Sequence, residues 1–311
     1  MPGLNEIPLH IKQRIYGELD FISRCNFRKS TRTNRLVSIN SNFHANRLLL
    51  RVAKHFIEWK VSAKECILVK YNRDESGCRL ETNIDNIPKT TKLIEGEHFV
   101  DLAFDDFEQM IGNRKLTVRV FGVEIHSGAV GYVENIKVVL EKLSHKLHVR
   151  MFDILFDGEH EAVLSFVPFM KPGILEHVCF VNGQMNSTEL DLDDLLMLDQ
   201  IKSARVLYSS RFETNTSVEK LNAIPHVSIG VQNLSPDYCL TLVTNFVYSE
   251  TAECLRLVCK EMDVDALEQL LDLNFTRYSW FPRGWQCVLT GQKFTKMCAA
   301  LVPNVIEMVK L

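Results

Sequence analysis

The spacing of the apolar residues changes twice along this chain, and these changes limit the folds that it can adopt. Up to about residue 51, apolar residues recur three or four positions apart, as they do on one face of a helix. From residue 55 they alternate with polar residues, which is typical of half-buried strands. From residue 116, short apolar runs return at intervals of roughly 20 to 30 residues. The sequence therefore predicts three regions, 1–51, 52–115 and 116–311.

The first region is predicted to hold three short helices. Pro8 opens the first, Asp20 or Ser23 caps the second, and Ser30 or Thr31 caps the third. Their apolar residues are Leu9, Ile11, Ile15 and Leu19, then Ile22, Cys25 and Phe27, then Leu36 and Ile39. Helices this short are marginal in water. The module must therefore bury its apolar face internally and against a neighbour or partner.

The second region is predicted to form a small antiparallel meander. Its strands are His55–Val61, Glu65–Tyr71 and Cys78–Thr82, with the turn signal 72–77 between the last two. Residues 88–97 have the composition of a loop, and Phe99–Ile111 has helical spacing.

In the third region, strand-like and helix-like segments alternate. The predicted strands are Leu116–Ile125, Leu147–Leu155, Leu175–Val181, Ala204–Tyr208, His226–Val231 and Cys254–Cys259. The predicted helices between them are Val133–Leu143, Ala162–Phe169, Leu190–Leu198 and Tyr238–Val247. This period indicates an irregular leucine-rich-repeat-like strand–helix array with a curved parallel sheet. An ordinary α/β domain with a parallel sheet is the alternative, so the predicted class is α+β to α/β.

Composition favours an intracellular protein, cytoplasmic or nuclear. The chain has 311 residues, 46% of them hydrophobic and 24% charged, with a net charge of -3. It contains neither an apolar run long enough for a membrane helix nor a signal-peptide pattern, so we expect no membrane association. The nine cysteines form no C-x-x-C pair, which favours free thiols in a reducing compartment.

The charge of the chain is uneven. Residues 1–60 contain 11 Lys and Arg against 4 Asp and Glu, a balance of +7, and the remainder contains 25 against 35, a balance of -10. The N-terminal region should therefore prefer an acidic partner surface. The basic cluster of this region consists of Arg24, Arg28, Lys29, Arg32 and Arg35. Nucleic acid is not expected, because the aromatic residues nearest to this cluster, Phe27 and Phe43, have core spacing.

No pattern in the chain points to catalysis. There is no G-x-S-x-G, no phosphate-binding loop and no Rossmann glycine fingerprint. His145 and His148 lack a nearby third ligand, and Cys254 and Cys259 lie in an apolar run. We therefore predict no metal, no cofactor and no enzymatic activity. An enzyme built on the α/β part is a further alternative.

The N-terminal residues resemble an F-box. Residues 7–20, Ile-Pro-Leu-His-Ile-Lys-Gln-Arg-Ile-Tyr-Gly-Glu-Leu-Asp, match the start of that motif, and residues 23–29 resemble its second helix. Three positions depart from the family pattern. Ser30-Thr31 stands where Val-Cys is usual, Asn34 replaces a bulky residue, and His10 replaces Glu.

The rest of the chain resembles nematode F-box proteins that carry an FTH domain. The similar stretches are 69–78, 96–103, 170–176 and 198–204. The resemblance implies a substrate-recognition adaptor of a Skp–cullin–F-box ubiquitin ligase, with a Skp-type adaptor, the cullin core and a protein target as partners. The alternative is a protein-interaction scaffold whose degenerate F-box does not engage a ligase.

Two groups of residues are the predicted binding sites. The adaptor-binding residues implied by the resemblance are Pro8, Leu9, Ile11, Ile15, Leu19 and Phe27, although several of them would serve equally to pack the helical module. Trp280, Phe281, Arg283 and Trp285 form the densest aromatic and basic group, which is typical of interface hot spots. They are predicted to bind the target, with a C-terminal cap on the last repeat as the alternative.

Overall fold

The computed structural model describes residues 7–19, 41–157, 164–184, 188–214, 216–274, 276–277, 284–287, 297–302 and 305–310. The chain divides into two compact units, the first comprising residues 1–157 and 165–174 and the second comprising residues 158–164 and 175–311. The predicted boundaries at residues 51 and 115 stay a prediction.

The first unit begins with helix α1 (Leu9–Glu18) and continues into a mixed sheet. Its strands are β1 (Phe43–Ala53), β2 (Phe56–Ser62), β3 (Cys66–Asp74), β4 (Gly77–Ile84), β5 (Ile87–Glu95), β6 (Leu116–Ile125) and β7 (His148–Phe156). Strands β1 to β5 pair in sequence as an antiparallel meander. On its other side β1 pairs in parallel with β6, which pairs in parallel with β7. Strand β1 therefore joins the antiparallel and the parallel parts of this sheet.

Two helices of the first unit follow the meander, α2 (Phe99–Ile111) and α3 (Val133–Glu141). The apolar face of α2 is buried, and α2 contacts strands β2, β3 and β4. A chain of aromatic rings crosses the core, with the ring centres of Phe107 and Phe121 6.4 Å apart and those of Phe121 and Phe152 5.7 Å apart. Such contacts stabilise the packing beyond the burial of the rings alone.

The hairpin between β4 and β5 shows how local sequence specifies a turn. Ile84 pairs with Ile87, so the loop consists of Asp85 and Asn86. Both have positive φ angles, 51° and 64°. Asp and Asn tolerate this conformation better than other side chains, and it is the one that a tight two-residue hairpin needs.

The described residues of the second unit form strands and helices. Its strands are β8 (His177–Asn182), β9 (Thr188–Glu189), β10 (Val206–Thr214), β11 (His226–Leu234), β12 (Cys254–Met262), β13 (Thr276–Arg277), β14 (Gly284–Cys287), β15 (Met297–Val302) and β16 (Val305–Lys310). Its helices are α4 (Asp193–Met197), α5 (Val218–Leu221), α6 (Pro236–Tyr248) and α7 (Val264–Asn274). Strands β8, β10, β11 and β12 pair in parallel, whereas β12, β16, β15, β14 and β13 pair in antiparallel succession.

Helix α6 begins at two residues whose chemistry favours a helix N-terminus. The Ser235 hydroxyl accepts a hydrogen bond from the backbone N–H of Tyr238 at 3.3 Å, and Pro236 occupies the first turn. Both features favour a helix N-terminus. At the other end of the helix, the Lys310 ammonium lies 5.2 Å from the centre of the Phe246 ring. This contact packs the end of β16 against α6.

The predicted fold class is wrong. The described residues form mostly strands, and strand β1 begins at Phe43, inside the region predicted to be helical. The second and third predicted helices lie in residues 20–40, outside the described residues. The meander is also not small, since it has five strands. The prediction missed β1 because this strand contains the apolar run Leu48-Leu49-Leu50. A strand in the middle of a sheet is apolar on both faces and cannot be distinguished by spacing from a buried helix.

Two further elements differ from their predictions. Residues 88–97, predicted as a loop, belong largely to β5, which is almost wholly exposed and therefore lacks the apolar alternation of a half-buried strand. In the segment Ala162–Phe169, predicted as a helix, Leu164 is helical, Ser165 and Phe166 form a turn, and Val167–Phe169 is a 3₁₀ turn, while residues 162–163 lie outside the described residues.

A hydrogen bond between α2 and β3 gives a test of the first unit's packing. The buried Tyr71 hydroxyl donates to Asp106 Oδ2 at 2.8 Å. We expect Tyr71→Phe to lower the free energy of unfolding by about 1 kcal/mol, since it leaves the carboxylate without this donor. The measurement is the shift in the urea midpoint. Tyr248→Phe, at a side chain that is 63% exposed, is the matched control and should leave the midpoint unchanged. Equal shifts in both variants would contradict this assignment.

Candidate functional site

The first candidate site is helix α1. Pro8 directly precedes it with a φ angle of -56°, and its carbonyl accepts hydrogen bonds from the backbone N–H groups of Ile11 and Lys12, both at 3.0 Å. Proline suits this place because its fixed φ and missing N–H cost nothing at a helix start. The local sequence therefore sets where the helix begins.

The two faces of α1 differ in exposure. Lys12 and Tyr16 are 2% and 5% exposed, and Leu19 packs against Tyr16. Their spacing of four and three residues places them on one face of the helix. Leu9, in the first turn, is 54% exposed and Ile11 is 39% exposed. Residues two apart on a helix do not share a face, so these two apolar side chains meet solvent in different directions at the start of α1.

The predicted adaptor-binding residues separate accordingly. Pro8, Leu9 and Ile11 are exposed, whereas Ile15 and Leu19 are partly buried. Phe27 lies outside the described residues. Three of the six residues are thus available to a partner in the free protein, and whether any of the six binds one stays a prediction.

A cleft of about 490 Å³ adjoins the C-terminal end of α1. It is open to solvent and is lined by Glu18, Leu19, the start of β1 and the hairpin between β2 and β3. Sequence reasoning placed β2 beside β3 in the predicted meander, but it missed β1 and therefore did not bring the start of β1 or the end of α1 to that hairpin. The only available signal was the alternation that predicts the strands themselves.

The predicted target-binding group is mostly outside the described residues. This applies to Trp280, Phe281 and Arg283. Trp285 lies on β14, where its backbone pairs with Arg277 and Ala299, and its side chain is not described. The group's role in target binding stays a prediction. The basic cluster of the N-terminal region, Arg24, Arg28, Lys29, Arg32 and Arg35, also lies outside the described residues.

The described residues contain no group of three or more His, Cys, Asp or Glu side chains placed to hold a metal ion. His145 precedes β7 and His148 begins it. The pKa of His145 is lowered first by burial and then by the positive charge of Arg114. The pKa of His148 is lowered by burial, by Lys171 and by His44. Both imidazoles are therefore biased toward the neutral form.

Two buried cysteines lie in the second unit, Cys239 on α6 and Cys259 on β12. Burial raises the pKa of Cys239 to about 12 and that of Cys259 to about 11, and the proximity of Cys259 adds to the shift of Cys239. The thiolate is the reactive form, so neither residue is prepared to act as a nucleophile.

The raised pKa values of Cys239 and Cys259 predict that both thiols are alkylated slowly. At ~pH 8, where a free thiol is partly ionised, iodoacetamide should leave Cys239 and Cys259 unmodified in the folded protein and modify both after unfolding in urea. Peptide mass spectrometry measures each site separately. The half-buried Cys66 is the internal comparison and should react before Cys239 and Cys259. Rapid labelling of Cys239 in the folded protein would contradict the assignment.

In the part of the chain that the structure describes, no helix is both long and apolar enough to cross a membrane.

Comparison with known proteins places a family domain across much of this structure. Residues 131–274 match the FTH domain family, a range that runs from two residues before α3 to the end of α7. The chain is also similar to F-box A protein 224 of Caenorhabditis elegans, with 21% identity over 267 residues that cover 84% of this chain and 67% of that protein. The predicted resemblance to nematode F-box proteins with an FTH domain is confirmed.

Proposed function

We propose that this chain, an F-box and FTH protein by its similarity, is a non-catalytic substrate-recognition subunit of a Skp–cullin–F-box ubiquitin ligase. The N-terminal segment that contains α1 binds a Skp-type adaptor, which connects it to the cullin core. The remainder of the chain, including the FTH domain, binds a protein target. The protein acts inside the cell, in the cytoplasm or the nucleus.

The observation that carries this proposal is the exposure of two large apolar residues at the start of α1. Leu9 and Ile11 are large apolar residues that remain open to solvent on a helix of only ten residues. Burying such side chains stabilises a complex by roughly 25 cal/mol per Å² of apolar surface. A helix start that exposes apolar side chains can insert them into an apolar groove of a partner.

Charge in the N-terminal region supports the same assignment. The balance of +7 in residues 1–60 favours approach to an acidic surface. Such charges affect the rate of association and its salt dependence more than the final affinity. The apolar residues of α1 would therefore determine how long the complex lasts.

A subunit of this kind needs no catalytic groups of its own. Holding a target lysine close to a charged ubiquitin-conjugating enzyme raises the effective concentration of the two reactants. The raised pKa values of Cys239 and Cys259 agree with a binding role, since a thiol nucleophile requires a lowered pKa.

Co-purification with a Skp-type adaptor tests the proposal. We expect the wild-type chain to bind and Pro8→Ala with Ile11→Asp to lose the interaction by about tenfold or more, because a carboxylate replaces a buried apolar contact. Both side chains are exposed in the free protein, so the variant should remain folded. Overlapping thermal unfolding curves of variant and wild type check this.

The meander offers a matched control. Ile87 and Pro88 are adjacent, exposed and of the same residue types, and they lie on β5 in the same unit. Pro88→Ala with Ile87→Asp should leave adaptor binding unchanged. Equal losses in both variants would reject α1 as the contact.

A non-ligase scaffold is the second candidate function. Ser30-Thr31 and Asn34 depart from the F-box pattern at positions of the predicted third helix, and this observation favours a degenerate module. A folded wild-type chain that fails to bind any Skp-type adaptor of its organism would establish the scaffold and reject the ligase subunit.

A further inference from the structure

Strand β5 forms one edge of the first unit's sheet, and its backbone is open on the side away from β4. In the part of the sheet that the structure describes, β5 stands last in the strand order, with β4 as its neighbour. All of its residues are exposed except Ile94, which is half-buried. The strand therefore offers its outer backbone groups, together with exposed side chains, to a further strand.

Two backbone hydrogen bonds establish which groups of β5 point outward. The Gly96 N–H donates to the Ser76 carbonyl at 2.9 Å, and these residues lie directly opposite each other, one step beyond the end of the β4–β5 ladder. On the other side of β4, the Asp85 N–H donates to the Cys66 carbonyl at 2.8 Å, one step beyond the β3–β4 ladder. Hydrogen-bonded pairs alternate with non-bonded pairs along an antiparallel ladder. The even-numbered residues of β4 therefore bond to β5, and the odd-numbered ones bond to β3.

The outward backbone groups of β5 belong to Thr91, Leu93 and Glu95. Each of these residues lies opposite an odd-numbered residue of β4 and exchanges no backbone hydrogen bond with it. Their N–H groups and carbonyls therefore point away from β4, in sets that are ~6.8 Å apart along the strand. A strand that adds to this edge can pair with all of them, as in β-strand addition.

The exposed side chains of β5 give its two faces different chemistry. Successive side chains of a strand point to opposite faces, so Lys92 lies on one face of the edge and Leu93 on the other. Leu93 is 42% exposed. Residues 87–94 contain two lysines, Lys89 and Lys92, and no acidic residue, a balance of +2. The edge therefore presents a cation on one face and a large apolar side chain on the other.

We propose that an extended segment of a partner protein, in which acidic and apolar residues alternate, adds to β5 as an antiparallel strand. Its acidic residues lie beside Lys92, and its apolar residues lie beside Leu93. Opposite charges on neighbouring strands stabilise their pairing, and an apolar neighbour removes Leu93 from water. Antiparallel addition continues the order of β1 to β5 and is slightly more stable per residue than parallel addition. A second copy of β5 fits less well, because two segments that each carry +2 would face each other.

This docking edge does not depend on the ligase assignment. Only the further statement that the added segment belongs to the recruited target rests on the proposed function. Strand β5 contains no residue of α1, so binding at the edge and binding of a Skp-type adaptor are separable measurements.

Fluorescence anisotropy of the full chain with a labelled peptide of alternating Val and Glu tests the proposal, and we expect saturable binding. In the proposed pairing, each Val lies opposite an outward-facing residue of β5 and exchanges backbone hydrogen bonds with it, whereas the N–H of each Glu points away. Methylating the backbone nitrogens of Val should therefore abolish binding. Methylating those of Glu should leave the affinity within about twofold of the parent peptide. Equal effects of the two methylations would overturn strand addition.

Substitutions on β5 test the same contacts from the protein side. Thr91→Pro removes an outward N–H that makes no bond to β4, and should lower the affinity about fivefold or more. Thr91→Val keeps that N–H, and as the matched control it should bind like the wild type. Lys92→Gln should weaken binding and reduce its salt dependence, whereas Lys171→Gln, at an exposed residue outside the meander, should change neither. If Thr91→Pro does not melt like the wild type, the methylated peptides carry the test on the unaltered chain.

The peptide with Lys in place of Glu should not bind. Three further results would overturn the proposal: equal affinity for the Glu and Lys peptides, undiminished binding by a folded Thr91→Pro variant, and a dimer of the chain that the peptide cannot displace. The last of these would assign the edge to a second copy. Adaptor binding is measured on the same samples. Its failure with peptide binding intact would reject the ligase role and leave the docking edge, and the converse result would reject the edge alone.

Discussion

The parallel pairing of β1 with β6 is the constraint on which the first unit depends. Phe43 pairs with Leu116 and Val52 with Ile125, so residues about 73 positions apart in the chain are held side by side. This pairing places the meander on one side of β1 and the parallel strands on the other. It also positions the start of β1, which lines the cleft beside α1.

Local patterns predicted the exact ends of some helices and strands, whereas the pairing of strands that are distant in sequence could not be predicted. Helix α2 and strand β6 begin and end where spacing predicts, because each has one clearly buried face. Strand β1 was missed, since a strand with neighbours on both sides needs no alternation. Strand β5 was missed for the opposite reason, because it buries almost nothing. The predicted fold class was wrong in part because it left out β1 and β5.

The candidate site was predictable to the extent that it is local. The exposed Pro8, Leu9 and Ile11 follow one another within a single helical turn, and a family resemblance identifies such a segment. The cleft beside α1 is assembled from the end of α1, the start of β1 and the hairpin between β2 and β3, and no spacing within the sequence indicates that these segments meet.

The hairpin of β4 and β5 has a consequence for how the protein behaves in a crowded cell. Among the described residues β5 pairs only with β4, so its outer backbone groups form a long exposed edge with Ile87 and Leu93 beside them. Such edges nucleate aggregation when another chain adds to them. Pro88 removes one donor from that edge, and Lys89 and Lys92 would have to be desolvated by any incoming strand. The nine residues of β5 therefore extend the sheet and also oppose its assembly into fibres.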